Sequence, residues 1–508
     1  MNWLGAGAAF LARRRLERMR ALAAAPRAPQ VELFAKLRER FAATAFGRAH
    51  DLASVRTHTD WCRAVPLMDY AAMAPWWRRA RAGERDVTWP GLIRHWALSS
   101  GTTSGEKFLP VSDATIANNR RGGFDSLVPH LAQAGGALFG GKLLFLGGST
   151  ALRREGDVWI GDNTGIMARE VPRLLNGLYA PSAAVRAMTA WQQKMERAAA
   201  ETATADLRML AGVPSWIVLF GEAALAAAQR AGRDVATLGE LWPNLQLFVH
   251  GGVSFEPYRR RVDALIGRTI RCTDTYSASE GGMLAVQDRD DDPGMLPLLD
   301  RATFFEFVPR EDLGAASPRR LLAHEVEPGV DYAVALTTDS GIAAYLVGDL
   351  VRFTSREPLR LCFAGRTAHT LSAFGEHVSS GELDRAIAAA ADATGAVVDE
   401  FTVAVRYPDH RDAMGQHRWL VEFRREPADP AQFAAVLDRT ITDGNEDYAT
   451  HRSYGLREPA VVPLPRGTFL GWMQQHGKFG GQHKVPRVAS PAMAAELDAD
   501  ARGALSES

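Results

Sequence analysis

Three short stretches carry the residue types that a nucleotide site needs. The first, SSGTTSG, strings together Ser99, Ser100, Gly101, Thr102, Thr103, Ser104 and Gly105 directly after the apolar-rich segment HWAL. Such a run offers little apolar area, and glycine costs backbone entropy on folding, so it builds no core. Its backbone N–H groups and hydroxyls can instead wrap an anion, with no bulky side chain to hold phosphate oxygens away. Lys107 follows as a positive charge. A plain flexible Gly/Ser loop has the same composition, so the loop is judged by its company.

The second stretch, TYSASEGG (275–282), sets Glu280 among small residues at the end of an expected strand. A carboxylate there can hold a Mg2+ ion that bridges phosphate oxygens. In the third, YLVGDLVRF (345–353), Asp349 directly follows Gly348 at an expected tight turn, where it can accept hydrogen bonds from both ribose hydroxyls. Taken singly, each acid reads first as a turn or capping residue. GKFGGQHKVPRV (477–488) adds Lys478 and Lys484 in a glycine-rich segment. The first loop is not a Walker A element, because Glu106 follows Gly105 and no Gly-Lys-Ser/Thr occurs. A protein-kinase motif set is not complete either, since DFG is missing.

The elements that must position these groups read as an α/β chain. Of 508 residues 46% are hydrophobic, which is ample for a large core, and 59 basic side chains balance 59 acidic ones. That neutrality argues against a nucleic-acid partner and for a small-molecule substrate. Cys62, Cys272 and Cys362 never form a CxxC pair, so no zinc ribbon or disulfide framework is indicated, and a reducing cytoplasm fits. The N-terminal MNWLGAGAAFLARRR has its arginines after the apolar run, and no stretch reaches the ~20 apolar residues of a spanning helix. It reads as an amphipathic helix, with membrane-surface contact as the alternative.

Leu33, Phe34, Leu37, Phe41 and Phe46 recur at helical spacing and are expected in the core, as are Trp76, Trp77, Trp89 and Trp96. Helices are expected over 112–134 and a strand over 142–148, with Ala-rich helices at 182–200 and 221–231. The short apolar runs SWIVLFG (215–221), LQLFVHGG (245–252) and TIRCTDTYSASEGG (269–282) then read as strands of an α/β sheet with ligands at the strand ends. Strands at 301–309, 331–338 and 341–354 suggest a β-rich subdomain. A change of texture near residues 365–372 sets an N-terminal domain of 1–368 against a compact α+β domain of 369–508.

SSGTTSGEKFLP, TYSASEGG, YLVGDLV and FGGQHKVPR, in this order, resemble the motifs of the auxin-responsive-promoter (Gretchen Hagen) family of acyl acid amido synthetases. That family is a branch of the adenylate-forming enzymes. The upstream VPLMDYAAMAPWWRRARAGE, with its Pro-Leu-x-x-Tyr element, adds to the resemblance. It implies a large N-terminal α/β domain and a smaller, mobile C-terminal α+β domain. It also implies activation of a small carboxylic acid by ATP with Mg2+, as acyl-AMP with pyrophosphate release, and transfer to the amine of an amino acid. Carried over by position, residues 99–105 would cradle phosphates. Thr275, Tyr276, Ser277, Ala278, Ser279 and Glu280 would hold the AMP phosphate and adenosine, with Glu280 towards the metal. Asp349 would bind ribose, Gly252 and Val253 would line adenine, Arg366 would reach ribose or phosphate, and Lys484 would neutralise charge during transfer.

Three positions depart from the pattern: Leu346 stands where relatives carry Arg, His377 where many carry Lys, and the loop before Lys107 is one residue short. An acyl-CoA ligase and a non-catalytic nucleotide-binding protein stay open as alternatives. For the acid pocket the expected region is 115–180, with Arg120, Arg121 and Tyr179 as candidates.

Overall fold

Strand-forming text in the middle of the chain assembles into one eleven-stranded sheet. The structure, a computed structural model, describes residues 3–100, 106–171, 175–367, 370–371, 376, 378–406, 414–445, 448–449, 452, 456–477 and 484–506. Across the sheet the order is Thr303–Pro309, Asp331–Thr338, Ile342–Arg356, Leu359–Arg366, Met295–Pro297, Gly282–Gln287, Arg271–Ala278, Leu247–Gly251, Leu207–Gly212, Lys142–Phe145 and Tyr179–Ala180. From Arg271–Ala278 through Tyr179–Ala180 neighbours are parallel, whereas Arg271–Ala278 meets Gly282–Gln287 antiparallel. The strands expected as a β-rich subdomain therefore continue the α/β sheet instead of forming a layer of their own. A separate four-stranded sheet holds Glu106–Val111, His95–Ser100, Val158–Asp162 and Arg153–Glu155.

One run takes the other secondary structure. SWIVLFG is helical, inside Pro214–Arg230: Pro214 at the first turn starts the helix, and Trp216, Ile217, Val218, Phe220 and Gly221 are all buried. An apolar run buried on every side has no period that distinguishes strand from helix. The helices expected over 112–134 are Asp113–Asp125 and Val128–Ala134, with Pro129 in the first turn of the second.

The expected aromatic core is present: Phe34, Leu37, Phe41, Phe46, Trp77 and Trp96 are buried, with Leu33, Trp76 and Trp89 packed against them. The first helix, Trp3–Ala24, buries Ala12, Leu16, Met19 and Ala23 in the core of the large sheet. Arg15 fixes it, donating to Asp125 at 2.8 Å and to Asp300 at 2.6 Å. Among the described residues no helix is long and apolar enough to cross a membrane.

The chain divides into two compact units. The second comprises Ala364–Ser508 together with a short segment, Ser254–Asp263, taken from the middle of the first. Its start at Ala364 precedes the expected residue 369, and its borrowed segment had no counterpart in the expected boundaries. Inside it, Val397–Arg406 pairs antiparallel with Gln416–Arg425, which pairs parallel with Ala460–Leu464. Helices Ser380–Thr394 and Pro430–Gly444 contribute Leu383, Ile387, Phe433 and Leu437 to its core.

Asp125 is buried between Arg15 and Arg301, whose Nε donates at 2.8 Å. Removing one member of a buried ion network leaves its partners uncompensated. Asp125→Ala is expected to cost about 3 kcal/mol in guanidinium unfolding, undocking the first helix before the sheet.

Candidate active site

The candidates Gly252, Val253 and Thr275–Glu280 lie where the parallel half of the sheet meets the antiparallel half. Leu247–Gly251 and Arg271–Ala278 run in parallel with Gly251 opposite Thr275, and ligands in such sheets lie outside the carboxyl ends of the strands. Thr275 Oγ1 donates to the His250 carbonyl at 2.7 Å. A Cβ on Gly251 would lie 2.4 Å from the Thr275 carbonyl oxygen, so only glycine permits this approach. Gly252 then turns with φ of +83°, and half-buried Val253 follows.

Asp349 lies on Ile342–Arg356, with three strands between it and Arg271–Ala278 in the sheet order, and the expected tight turn is instead a bulge inside a continuous strand. Ala333 faces Leu350 and Ala335 faces Leu346, so Val334 alone opposes residues 347–349. Gly348 accommodates the excess at φ of +89°. The bulge aims Asp349 inward, where it is 6% exposed and accepts a 3.0 Å hydrogen bond from the Tyr276 hydroxyl. Tyr276 thus joins the second and third motifs, as a positioning residue whose ring belongs to the sheet's core.

The stretch expected to bind phosphate is flanked by two antiparallel strands. Ser99 and Ser100 end His95–Ser100, Glu106–Val111 returns antiparallel, and Ser99 is opposite Lys107. Residues 101–105, expected to cradle phosphate, lie outside the described residues. The returning strand is held by the Pro-Leu-x-x-Tyr element: the Phe108 N–H donates to the Tyr70 hydroxyl at 3.0 Å, and Lys107 Nζ sits 5.5 Å from the centre of the Tyr70 ring. Leu346, the departure in the third motif, donates its backbone N–H to Met68 in the same element.

Glu280 and Ser279 occupy the turn between Arg271–Ala278 and Gly282–Gln287, half-buried. Asn119, on helix Asp113–Asp125, packs its Oδ1 where a Cβ on Gly282 would be. Beneath the turn lies a small cavity lined by Thr115, Asn118, Gly281, Met283, Arg301 and Asp339. Asp339 accepts from Thr115 Oγ1 at 2.9 Å and Asn118 Nδ2 at 2.5 Å, yet burial dominates and pushes its pKa up to about 6.

Other candidates sit elsewhere. Arg366, exposed at the end of Leu359–Arg366, and exposed Lys484 belong to the second unit. His377 and Lys478 lie outside the described residues. Of the acid-pocket candidates, Arg120 is committed to the Glu170 carbonyl, and burial raises the pKa of half-buried Tyr179, beside Phe145. Sequence reasoning missed Tyr258 and Arg487. Arg487 donates to Asp384 at 2.7 Å, to Glu400 at 2.6 Å and to the Tyr258 hydroxyl at 3.1 Å, anchoring the chain three residues beyond Lys484. The one signal was Arg487 itself, inside the quoted HKVPR.

Two outcomes follow from these contacts. Tyr276→Phe removes the donor to Asp349 and is expected to cost about 1 kcal/mol of stability while weakening AMP binding several-fold by calorimetry. Asp339 has a folded pKa above its unfolded value of 3.8, so its contribution is intact below pH 4 and declines as pH rises towards 6. Urea unfolding of Asp339→Asn should therefore gain on the parent across that window, by roughly 2–3 kcal/mol at its upper end.

Three family models match: the GH3 family N-terminal domain over residues 15–178 and 161–270, the central domain over 296–366 and the C-terminal domain over 381–492. A jasmonoyl-L-amino acid synthetase of Oryza sativa subsp. japonica is 26% identical over 276 residues, 50% of this chain and 47% of that one. A probable indole-3-acetic acid-amido synthetase of the same plant is 25% identical over 323 residues, 54% of this chain and 52% of that one. The chain thus matches about half the length of these curated relatives. Among solved structures, the GH3.15 acyl acid amido synthetase superposes with a TM-score of 0.77 at 18% identity, over 96% of each chain. A 2-hydroxyisobutyryl-CoA ligase bound to its acyl adenylate superposes at 0.58 and 15% identity, over 93% of this chain and 91% of that one. The fold is therefore that of the adenylate-forming enzymes, and the chain belongs to the GH3 family.

Proposed function

We propose that this chain is an AMP-forming acyl acid amido synthetase that joins a small carboxylic acid to an amino acid. The observation that carries the reading is Asp349, a carboxylate buried by a strand bulge and held by Tyr276 from the neighbouring TYSASEGG motif. A fixed, buried pair of acceptor oxygens suits the two hydroxyls of a ribose. The relatives named above, as amido synthetases, support the second half-reaction.

In the first step a carboxylate oxygen of the acid attacks the α-phosphorus of ATP and pyrophosphate leaves with the bonding pair. In the second, the amine nitrogen of the amino acid attacks the acyl carbon, AMP leaves, and the nitrogen's proton passes to solvent or base. Asp349 orients the ribose. Gly251 and Gly252 offer backbone with no side chain in the way of adenine, and Val253 lines it. The hydroxyl-rich loop 99–105 and the 275–280 segment donate to phosphate. The donor chemistry fits Mg2+ at Glu280, a hard carboxylate oxygen in a turn of small residues, and the ion would supply charge neutralisation on the phosphates. Arg366 and Lys484 are the candidates for further positive charge on the phosphates.

The test is incubation with ATP, Mg2+, a panel of aryl, indolyl, fatty and keto acids, and either pooled amino acids or CoA, with products identified by mass. An amide with AMP and pyrophosphate is expected. A thioester would move the assignment to CoA ligation, and ATP binding without AMP for any acid would overturn catalysis. Asp349→Ala and Glu280→Gln should each lower adenylate formation about 10- to 100-fold. Lys484→Ala, exposed, should lower it with the melting temperature unchanged.

A further inference from the structure

Remote from the motifs, one helix and one strand bring a soft thiol, a borderline imidazole and a hard carboxylate together. His58 and Cys62 lie four residues apart on helix His58–Ala64, which places both on one face. Opposite them Glu306 projects from Thr303–Pro309, an edge strand of the large sheet, and is fully buried. His58 Nε2 is 2.7 Å from Glu306 Oε1 and 3.4 Å from Cys62 Sγ, and Cys62 Sγ is 4.0 Å from Glu306 Oε1. We propose that His58 Nε2, Cys62 Sγ and Glu306 Oε1 form a binding site for a divalent transition metal of the zinc class, which clips this helix to the sheet edge.

The geometry needs little change to accept the ion. Ordinary zinc bond lengths to sulfur, nitrogen and oxygen in a tetrahedron separate the donors by about 3.4–3.6 Å. The three observed separations bracket that range, so the ion replaces the His58–Glu306 hydrogen bond and draws the thiolate in. One thiolate, one imidazole and one carboxylate suit zinc better than magnesium or calcium, which take oxygen donors. The carboxylate is already oriented from behind: Arg320 donates to Glu306 Oε1 at 2.9 Å and Oε2 at 2.8 Å, and to the Val65 carbonyl at 2.6 Å. Such outer-shell hydrogen bonds fix metal ligands. Arg320 also keeps Glu306 monodentate, and the His58 side chain, 20% exposed, leaves a path for the ion and a fourth position for water.

The ion would also steady the chain leading to Tyr70, since Val65 begins the Pro-Leu-x-x-Tyr element. Metal content separates this inference from the proposed reaction, because it is read without any substrate. Full-length protein is incubated with excess Zn2+, desalted and analysed for metal, and Co2+ is added in parallel to look for thiolate-to-metal charge-transfer absorption. About one equivalent of zinc should be retained and the cobalt band should form. Cys62→Ser and His58→Gln should each lower retention at least tenfold, while Cys272→Ser and Cys362→Ser keep it. Absence of retained zinc, or retention unchanged in folded Cys62→Ser, would overturn the site and leave a metal-free ion network around Arg320.

Discussion

A carboxylate held inside a sheet is the constraint on which the first unit's arrangement turns. Asp349 costs desolvation wherever it is buried, and a strand in regular register would have left no room to choose its direction. The two extra residues of the bulge supply that direction, at the cost of a left-handed Gly348. Just before the bulge the same strand is tied to residue 68: the Met68 N–H donates to the Ala344 carbonyl, and the Leu346 N–H donates to the Met68 carbonyl. Two residues past Met68, Tyr70 receives the Phe108 N–H and lies beneath Lys107. Hydrogen bonds at Met68 and Tyr70 therefore tie the strand of the ribose candidate to the strand that follows residues 101–105.

That connection explains why an upstream tyrosine belongs with motifs far from it in sequence. Tyr70 need not touch a nucleotide to matter, because it sets the height and tilt of the strand returning from residues 101–105. It also gives Leu346 a role independent of side-chain charge. With arginine absent from that position, what remains essential is the backbone N–H, which any residue but proline supplies.

The sequence disclosed groups whose type is constrained and hid those whose meaning is geometric. Strands Thr303–Pro309, Asp331–Thr338 and Ile342–Arg356 were legible because β-branched and aromatic residues recur between turn signals. SWIVLFG was not, since complete burial erases its period. Gly348 before Asp349 was read as a turn because a glycine–acid pair is the commoner turn signal, and only the cross-strand register separates a turn from a bulge. The transfer of Ser254–Asp263 to the second unit was invisible for another reason. It rests on Tyr258 meeting Arg487 and Glu400, three residues that no local pattern relates.

The two halves of the proposed reaction differ in the same way. Nucleotide handling uses backbone N–H groups, small residues and two carboxylates, whose demands on residue type are strict enough to leave motifs. Choice of acid uses the shape of an apolar or mixed surface, which many residue sets provide equally well. In this chain, helix Asp113–Asp125 turns polar side chains, Thr115, Asn118 and Asn119, towards the Glu280 turn and spends them on Asp339 and Met167. Its inner face thus packs under the Glu280 turn. Discrimination among acids then falls to side chains that make no such internal bonds, so substitutions on that inner face should disturb the nucleotide half before they alter acid preference.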